Sequence, residues 1–195
     1  HQFQRADRMK FFRFTLLLAV SSVLLESAFA SEDVDPGNDG SQYAYAANLG
    51  WINAEPLGDG GPGIDFMSGS LKGWLWSANT GWISLSCENT SSCGDVDYRV
   101  VHDGGGNLSG YGWSPNIGWV SFSCEDSSSC GNVAYTVTIN QQSGQMAGYA
   151  YAANAGWIGF SCTNTASCDS VAFGVRINAN LEVEELIFES GFEDS

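Results

Sequence analysis

The six cysteines are the most reactive side chains of this 195-residue chain, and their spacing indicates which chemistry to expect. They form three C-x5-C pairs: Cys87 with Cys93, Cys124 with Cys130, and Cys162 with Cys168. Thiolates can attack substrates or hold zinc, but structural zinc sites use closer C-x2-C pairs, and His102 is the only histidine after residue 30. We therefore predict three local disulfides, each stabilising the fold by roughly 2.4 kcal/mol.

Motifs for catalysis are missing from the sequence. It has no G-x-S-x-G, H-E-x-x-H or P-loop motif. A Ser-His-Asp or Cys-His arrangement would have to use His102, which stands where the neighbouring repeats have Ile139 and Ile177. Paired carboxylates for glycoside hydrolysis remain open, because the fold sets their separation, but Asp95 and Asp97 do not recur in the repeats. We predict that the protein is not an enzyme and has no cofactor.

Aromatic residues recur in one phrase that is written four times. Its fullest copy, GYGWSPNIGWVSFSC, occupies residues 110–124, and related copies occupy 73–87, 148–162 and, shortened, 43–52. The turn glycines of successive copies are 31, 37 and 38 residues apart. Self-similarity at this period is typical of a repeat architecture.

Each copy has the pattern of a β-hairpin followed by a third strand. In the last copy, residues 148–151 and 157–162 flank an Asn/Gly loop, and residues 171–177 alternate strictly. The sequence predicts an all-β fold of about four tandem three-stranded antiparallel units, arranged as a sandwich, a propeller-like ring or a stacked array. The first unit is atypical, with residues 55–63 rich in Gly and Pro where the others have a disulfide loop, and we expect it to cap the array.

Strand geometry predicts which aromatic rings meet. A five-residue loop sets Trp76 opposite Trp82 on one face of its hairpin. The equivalent pairs are Trp113 with Trp119, Tyr151 with Trp157, and Tyr45 with Trp51. Because both faces of each hairpin are partly apolar, we expect the units to stack and bury both. If Trp119 is buried in this way, Trp119→Ala should cost roughly 3–5 kcal/mol.

The same rings are the candidate binding residues. They are Trp76, Trp82, Trp113, Trp119, Tyr151 and Trp157. Aromatic faces stack on sugar rings, and the recurring Asn79, Asn116 and Asn154 suit either glycan hydrogen bonds or turn formation. This favours a non-catalytic module that binds carbohydrate or cell-envelope glycan. The alternative is a structural extracellular repeat protein with no small ligand, and the least favoured reading is a secreted hydrolase.

The N-terminal residues and the charge indicate where the protein acts. A basic start at residues 9–13, an apolar run at 14–25 and an A-x-A motif at 28–30 predict a secretory signal peptide cut after Ala30, with no transmembrane segment remaining. Removing residues 1–30 takes four basic and two acidic residues and leaves 3 basic and 20 acidic, a formal charge of −17. Nucleic acid is excluded as a partner by this balance. We expect a secreted or cell-surface protein.

The remaining chain divides by composition. Residues 31–41 read as an acidic linker, residues 42–180 as one β-repeat domain, and residues 181–195 as a C-terminal tail. Asp33, Asp35, Asn38 and Asp39 loosely resemble an oxygen-rich calcium loop, but the spacing fails the EF-hand pattern, so calcium is only weakly indicated.

Two segments carry a resemblance to known proteins. The tail ends I-F-E-S-G-F-E at residues 187–193, which resembles a short Ile-Phe-x-x-Gly-Phe-Glu tail on many secreted bacterial proteins. The repeat is similar to Gly-Tyr-Ala-Trp-Ser-x-Asn-x-Gly-Trp-Ile repeats in uncharacterised bacterial exported proteins. The resemblance implies a bacterial exported protein with a sorting or surface-handling signal, and it implies no activity.

Overall fold

The structure, a computed structural model, describes residues 33–57, 63–67 and 69–178. The predicted signal peptide and C-terminal tail lie outside the described residues. The described chain is all-β, as the sequence predicts. Its strands are β1 (Tyr43–Ala46), β2 (Gly50–Asn53), β3 (Ile64–Met67), β4 (Ser70–Ser77), β5 (Gly81–Ser84), β6 (Val100–His102), β7 (Leu108–Ser114), β8 (Gly118–Ser121), β9 (Val137–Ile139), β10 (Met146–Ala152) and β11 (Gly156–Gly159). No helix in these ranges has the length and apolar character needed to cross a bilayer.

Eight of the strands form four antiparallel hairpins, one from each copy of the phrase. We name them hairpin A (β1–β2), B (β4–β5), C (β7–β8) and D (β10–β11). Neighbouring hairpins pair through β2–β4, β5–β7 and β8–β10, and β11 pairs back onto β1. The result is a closed eight-stranded antiparallel barrel. It differs from the sandwich, propeller-like ring and stacked array expected from the sequence, because the last hairpin completes the sheet with the first.

The barrel interior is filled by small and branched side chains in alternation. The first strand of each hairpin mostly contributes small residues, and the second contributes isoleucine or valine. The small residues are Ala44, Ala46, Ser77, Ser114, Ala150 and Ala152, and the branched ones are Ile52, Ile83, Val120 and Ile158, all at most 1% exposed. An eight-stranded barrel is just wide enough for such side chains to fill it. Because this core is complete, the outer hairpin faces need no cover, and the expectation that both faces are buried is wrong.

Three strands are long enough to leave the barrel and enter a second layer. The first halves of β4, β7 and β10 pair with the short strands β3, β6 and β9. Each strand turns the corner at a glycine with positive φ, namely Gly73 (81°), Gly110 (87°) and Gly148 (83°). Glycine adopts this backbone without a Cβ penalty, which places the corner at the first residue of each phrase.

The third strand of each unit is shorter than predicted. The strict alternation over residues 96–100, 133–139 and 171–177 predicts strands along those ranges. In the structure β6 begins only at the end of the first range, and β9 covers only the last three residues of the second. The third range forms isolated β-bridges instead of a strand. The leading valines lie outside the strands and are half exposed: Val96 (50%), Val133 (50%) and Val171 (49%). These segments cross the outside of the barrel, because each follows a disulfide loop that holds it there.

The three predicted disulfides are formed. They join Cys87 to Cys93, Cys124 to Cys130 and Cys162 to Cys168, with Cα separations of 4.9, 4.8 and 4.9 Å. Side chains of the loops also hold the glycine corners. Asn89 accepts a hydrogen bond from the N–H of Gly73 at 3.0 Å, and Asp126 accepts one from Gly110 at 2.6 Å. Each of these two loops therefore ties the barrel to its second layer.

Residues 33–41, expected to be an acidic linker, pack against the fold. Val34 is 2% exposed and bridges to Ile177. The carboxylate of Asp35 accepts hydrogen bonds from the Asp39 and Gly40 N–H groups and from the Ser41 hydroxyl. These bonds shape a turn.

The turn asparagines link each hairpin to its neighbour. Each side-chain amide donates to a turn carbonyl of the adjacent hairpin: Asn48 to Ala155 (3.1 Å), Asn79 to Leu49 (2.9 Å), Asn116 to Thr80 (2.8 Å) and Asn154 to Ile117 (3.2 Å). The four bonds run in one direction around the end of the barrel and close on themselves. The recurrence of asparagine in the phrase is thus explained by barrel closure.

Loss of one of these bonds should have a measurable effect. We expect Asn116→Ala to lower the free energy of unfolding by about 1 kcal/mol, the usual net worth of one hydrogen bond. Urea denaturation measures it. Asn132→Ala is the matched control, since Asn132 is exposed and its side chain makes no hydrogen bond to another described residue, so a change within about 0.5 kcal/mol is expected. Equal losses in the two variants would contradict a stabilising role for the four asparagine hydrogen bonds.

Candidate functional site

Eight aromatic rings surround the barrel on its outer face. We call this set the aromatic belt: Tyr45 (39% exposed), Trp51 (46%), Trp76 (38%), Trp82 (38%), Trp113 (38%), Trp119 (44%), Tyr151 (38%) and Trp157 (41%). The strand alternation that sends the small and branched residues inward sends these rings outward. The belt contains all six predicted ligand-binding residues and adds their equivalents in hairpin A.

The rings face each other across each hairpin in the predicted register. The pairs are Tyr45 with Trp51, Trp76 with Trp82, Trp113 with Trp119, and Tyr151 with Trp157. The centroids of Tyr45 and Trp51 are 5.1 Å apart, and those of Tyr151 and Trp157 are 4.9 Å apart. A further ring sits earlier on each first strand, as Trp74 does against Trp82 at 6.1 Å. The rings are therefore held in inclined clusters.

A fourth ring on three of the hairpins comes from the preceding unit. We call residues 96–98, 133–135 and 171–173 the cap segments. Their aromatic residues contact the next hairpin edge to face: Tyr98 on Trp119 (5.3 Å), Tyr135 on Trp157 (5.1 Å) and Phe173 on Trp51 (5.5 Å). The sequence reasoning missed this role and placed these residues in strands. The recurring Val-x-Tyr/Phe pattern was the available signal.

Two grooves open between neighbouring hairpins. The groove between B and C, which we name the BC groove, has a volume of about 410 Å³ and is lined by Trp74, Tyr98, Trp113 and Trp119 with Val96 beside them. The groove between D and A has a volume of about 440 Å³ and is lined mainly by Tyr45, Tyr135, Tyr149 and Trp157. Four strands separate the two grooves in either direction around the barrel, so they lie on opposite sides. Their sizes lie within the usual range for ligand pockets.

The belt combines carbon surfaces with hydrogen-bond donors that the protein does not use. None of the six indole N–H groups of the belt donates to another residue within the described chain, and neither do the hydroxyls of Tyr45 and Tyr151. In contrast, Tyr111 donates to the carbonyl of Asp126 at 2.8 Å. Burial, with a contribution from the nearby Asp126 carboxylate, raises the pKa of Tyr111. The belt can thus stack on a ligand and also donate to it.

In the described part of the chain, the His, Cys, Asp and Glu side chains that could hold a metal ion do not cluster among the belt rings. Among the residues that the structure describes, the one close group of three such side chains is Cys87, Cys93 and Asp97, and its two sulfurs are joined in a disulfide. His102 stacks on Phe66 in the second layer, with ring centroids 4.6 Å apart.

Comparison with protein-family models, curated proteins and solved structures finds no match to this chain. Its function is therefore inferred from the belt and the grooves.

Proposed function

We propose that this protein is a secreted, non-catalytic module that binds neutral glycans of the cell exterior through the aromatic belt. The three disulfides suit an oxidising extracellular compartment. The predicted signal peptide and the resemblance to bacterial exported proteins also favour a secreted protein. Glycan binding gives the recurring rings a role that barrel packing does not.

The observation that carries the proposal is the half-exposure of the belt around a complete core. The interior side chains already close the barrel, so eight large rings at 38–46% exposure are more than folding requires. Sugar rings present C–H groups on one face and hydroxyls at the edge. Aromatic faces with unused N–H groups at their rims offer a partner for both parts of that surface.

The charge of the chain favours a neutral ligand over an anionic one. The described residues include 12 acidic and 3 basic side chains. All three of the basic ones are already paired: Arg99 with Asp97 at 2.7 Å, Arg176 with Asp39 at 2.8 Å, and Lys72 with Glu88. A uronic-acid or phosphate polymer would meet repulsion from this surface rather than counter-charges.

A second candidate function is a structural extracellular module with no small ligand. It is favoured by the cap segments, whose rings cover one side of Trp51, Trp119 and Trp157. In that case the belt would serve mainly to fasten each unit to the next. The two candidates differ in what a belt substitution does to binding.

Titration with soluble oligosaccharides tests the proposal. The chain from residue 31 to 195 is titrated with cello-, xylo-, malto- and chito-oligosaccharides while tryptophan fluorescence is followed. We expect saturable quenching or a blue shift with at least one class. The double variant Trp113→Ala/Trp119→Ala should bind that class about tenfold or more weakly, since each lost stacking contact is worth about 0.5–1.5 kcal/mol.

The control is Leu57→Ala, which removes an apolar side chain that is 83% exposed and outside the belt. Its affinity should equal that of the parent protein. A flat response to every neutral class from folded protein would reject the glycan proposal and favour the structural module.

A further inference from the structure

The BC groove differs chemically from its equivalents at two ring positions. Trp74 stands where hairpins C and D have Tyr111 and Tyr149. Trp113 stands where hairpins A and D have Tyr45 and Tyr151. Substitution of tyrosine by tryptophan enlarges the negative face of the ring without adding charge. This groove therefore has the greatest tryptophan surface of the set.

The rings of the BC groove stand at steep angles to one another. Tyr98 meets Trp119 at 75° with centroids 5.3 Å apart, and Trp113 meets Trp119 at 65° with centroids 6.5 Å apart. Rings inclined in this way form walls that face in different directions. The one buried hydroxyl at the floor, that of Ser84, is already hydrogen-bonded to Ser86 and Asn89. The groove thus offers mainly carbon and π surface.

Two acidic residues flank the part of the cap segment that lines this groove. Asp95 and Asp97 flank Val96, whereas the cap segments of the next two units have neutral residues at both places: Asn132, Ala134, Ser170 and Ala172. Arg99 pairs with Asp97, but Asp95 makes no side-chain hydrogen bond or ion pair to another described residue. The whole described chain adds to the negative potential, with 12 acidic and 3 basic residues.

We propose that the BC groove binds the trimethylammonium head group of a small ligand of the choline type. Tryptophan faces attract cations most strongly among the aromatic side chains, and the acidic surroundings add to that attraction. A carbon-lined groove suits a quaternary ammonium in particular, because a quaternary ammonium has no N–H groups that would be left without acceptors. The site extends the protein's function beyond neutral glycans and does not depend on that activity.

The test compares two ligands of the same shape and different charge. Calorimetry on the chain from residue 31 to 195 measures choline and its uncharged carbon isostere, 3,3-dimethylbutan-1-ol. We expect choline to bind at one site and the isostere to bind about tenfold or more weakly, as a cation–π contribution requires. Choline affinity should fall as salt is added, since the field of the acidic groups is screened. Equal affinity for the two compounds, or no binding of choline, would overturn the proposal.

Ring variants locate the site. Trp113→Tyr, which introduces the residue of hairpins A and D, should keep the fold and weaken choline binding only modestly, by about threefold. Trp113→Leu keeps an apolar side chain but removes the π face, and should weaken binding by roughly ten- to thirtyfold. The matched control is Trp157→Leu on hairpin D, which should leave choline affinity unchanged. Near-ultraviolet circular dichroism confirms that each variant is folded.

The opposite pattern, with choline lost in Trp157→Leu and kept in Trp113→Leu, would refute the assignment to the BC groove. The glycan proposal fails or holds separately, because it is read from neutral oligosaccharides. Choline binding with no oligosaccharide binding would support the cation site alone.

Discussion

Gly110→Ala is expected to lower the free energy of unfolding by about 4 kcal/mol or more, a loss that ordinary surface substitutions do not reach. Gly110 has a φ of 87° at the corner of β7. A Cβ there would lie 2.1 Å from the carbonyl oxygen of Arg99, which is itself the acceptor for the N–H of Tyr111. The new methyl group can be accommodated only by moving β6 away from β7. Chemical denaturation measures the loss.

Gly40→Ala is the matched control for that substitution. Gly40 has nearly the same φ, 86°, but a Cβ there would meet nothing within 4 Å. It should cost only the left-handed backbone penalty of about 1–2 kcal/mol. The difference between the two variants isolates the close approach of the two strands. Equal losses would show that the corner is not constrained by packing.

Phe122→Ala should lower the free energy of unfolding by about 3–5 kcal/mol. Phe122 is 1% exposed and lies just beyond β8, where its ring meets that of Phe160 with centroids 5.8 Å apart. The corresponding residues of hairpins A and B are Ala54 and Leu85, so two large and two smaller side chains share this end of the core. Deleting one large ring leaves a cavity that its rigid neighbours cannot fill. Thermal and urea unfolding measure the change.

Phe122→Leu provides the comparison, because leucine is what hairpin B carries at this position. A smaller loss of about 1–2 kcal/mol is expected, since most of the apolar volume remains. If the alanine variant lost no more stability than the leucine variant, the packing of Phe122 against Phe160 would not contribute to the stability of the core.

Local features of the fold were predictable from the sequence. The pairing of Trp76 with Trp82 follows from loop length and alternation, and the disulfides follow from the repeated C-x5-C spacing. Both depend on residues close together in the chain. The prediction of an all-β chain rests on the same kind of local pattern.

Barrel closure could not be predicted, because it depends on distant pairs. Ala46 pairs with Ile158, and Phe173 packs against Trp51 from the far end of the described chain. The turn asparagines contained a hint of closure, but turn chemistry explained each of them equally well. Exposure of the belt follows from closure, so the sequence left open whether the rings were buried. The conditional estimate of 3–5 kcal/mol for Trp119→Ala does not apply, because Trp119 is 44% exposed.

The glycine corners were overlooked for a different reason. Gly73, Gly110 and Gly148 begin the phrase and read as strand residues in an alternating pattern. Only the paired carbonyls of the second layer show that no side chain fits there. The acidic segment at residues 33–41 also has no apolar period, and its order comes from bridges such as that between Val34 and Ile177.

The measurement that most directly tests the central claim is a nuclear magnetic resonance titration of the seven indole N–H signals. Six of these protons belong to the belt and the seventh to Trp74 beside it, and none is donated in a hydrogen bond to another described residue. With a saturating neutral oligosaccharide, we predict shifts of the belt indoles on at least one groove, with the backbone signals of the barrel interior unchanged. Indole signals that stay fixed with every neutral oligosaccharide tested, in a protein whose spectrum shows it to be folded, would contradict a ligand-binding belt.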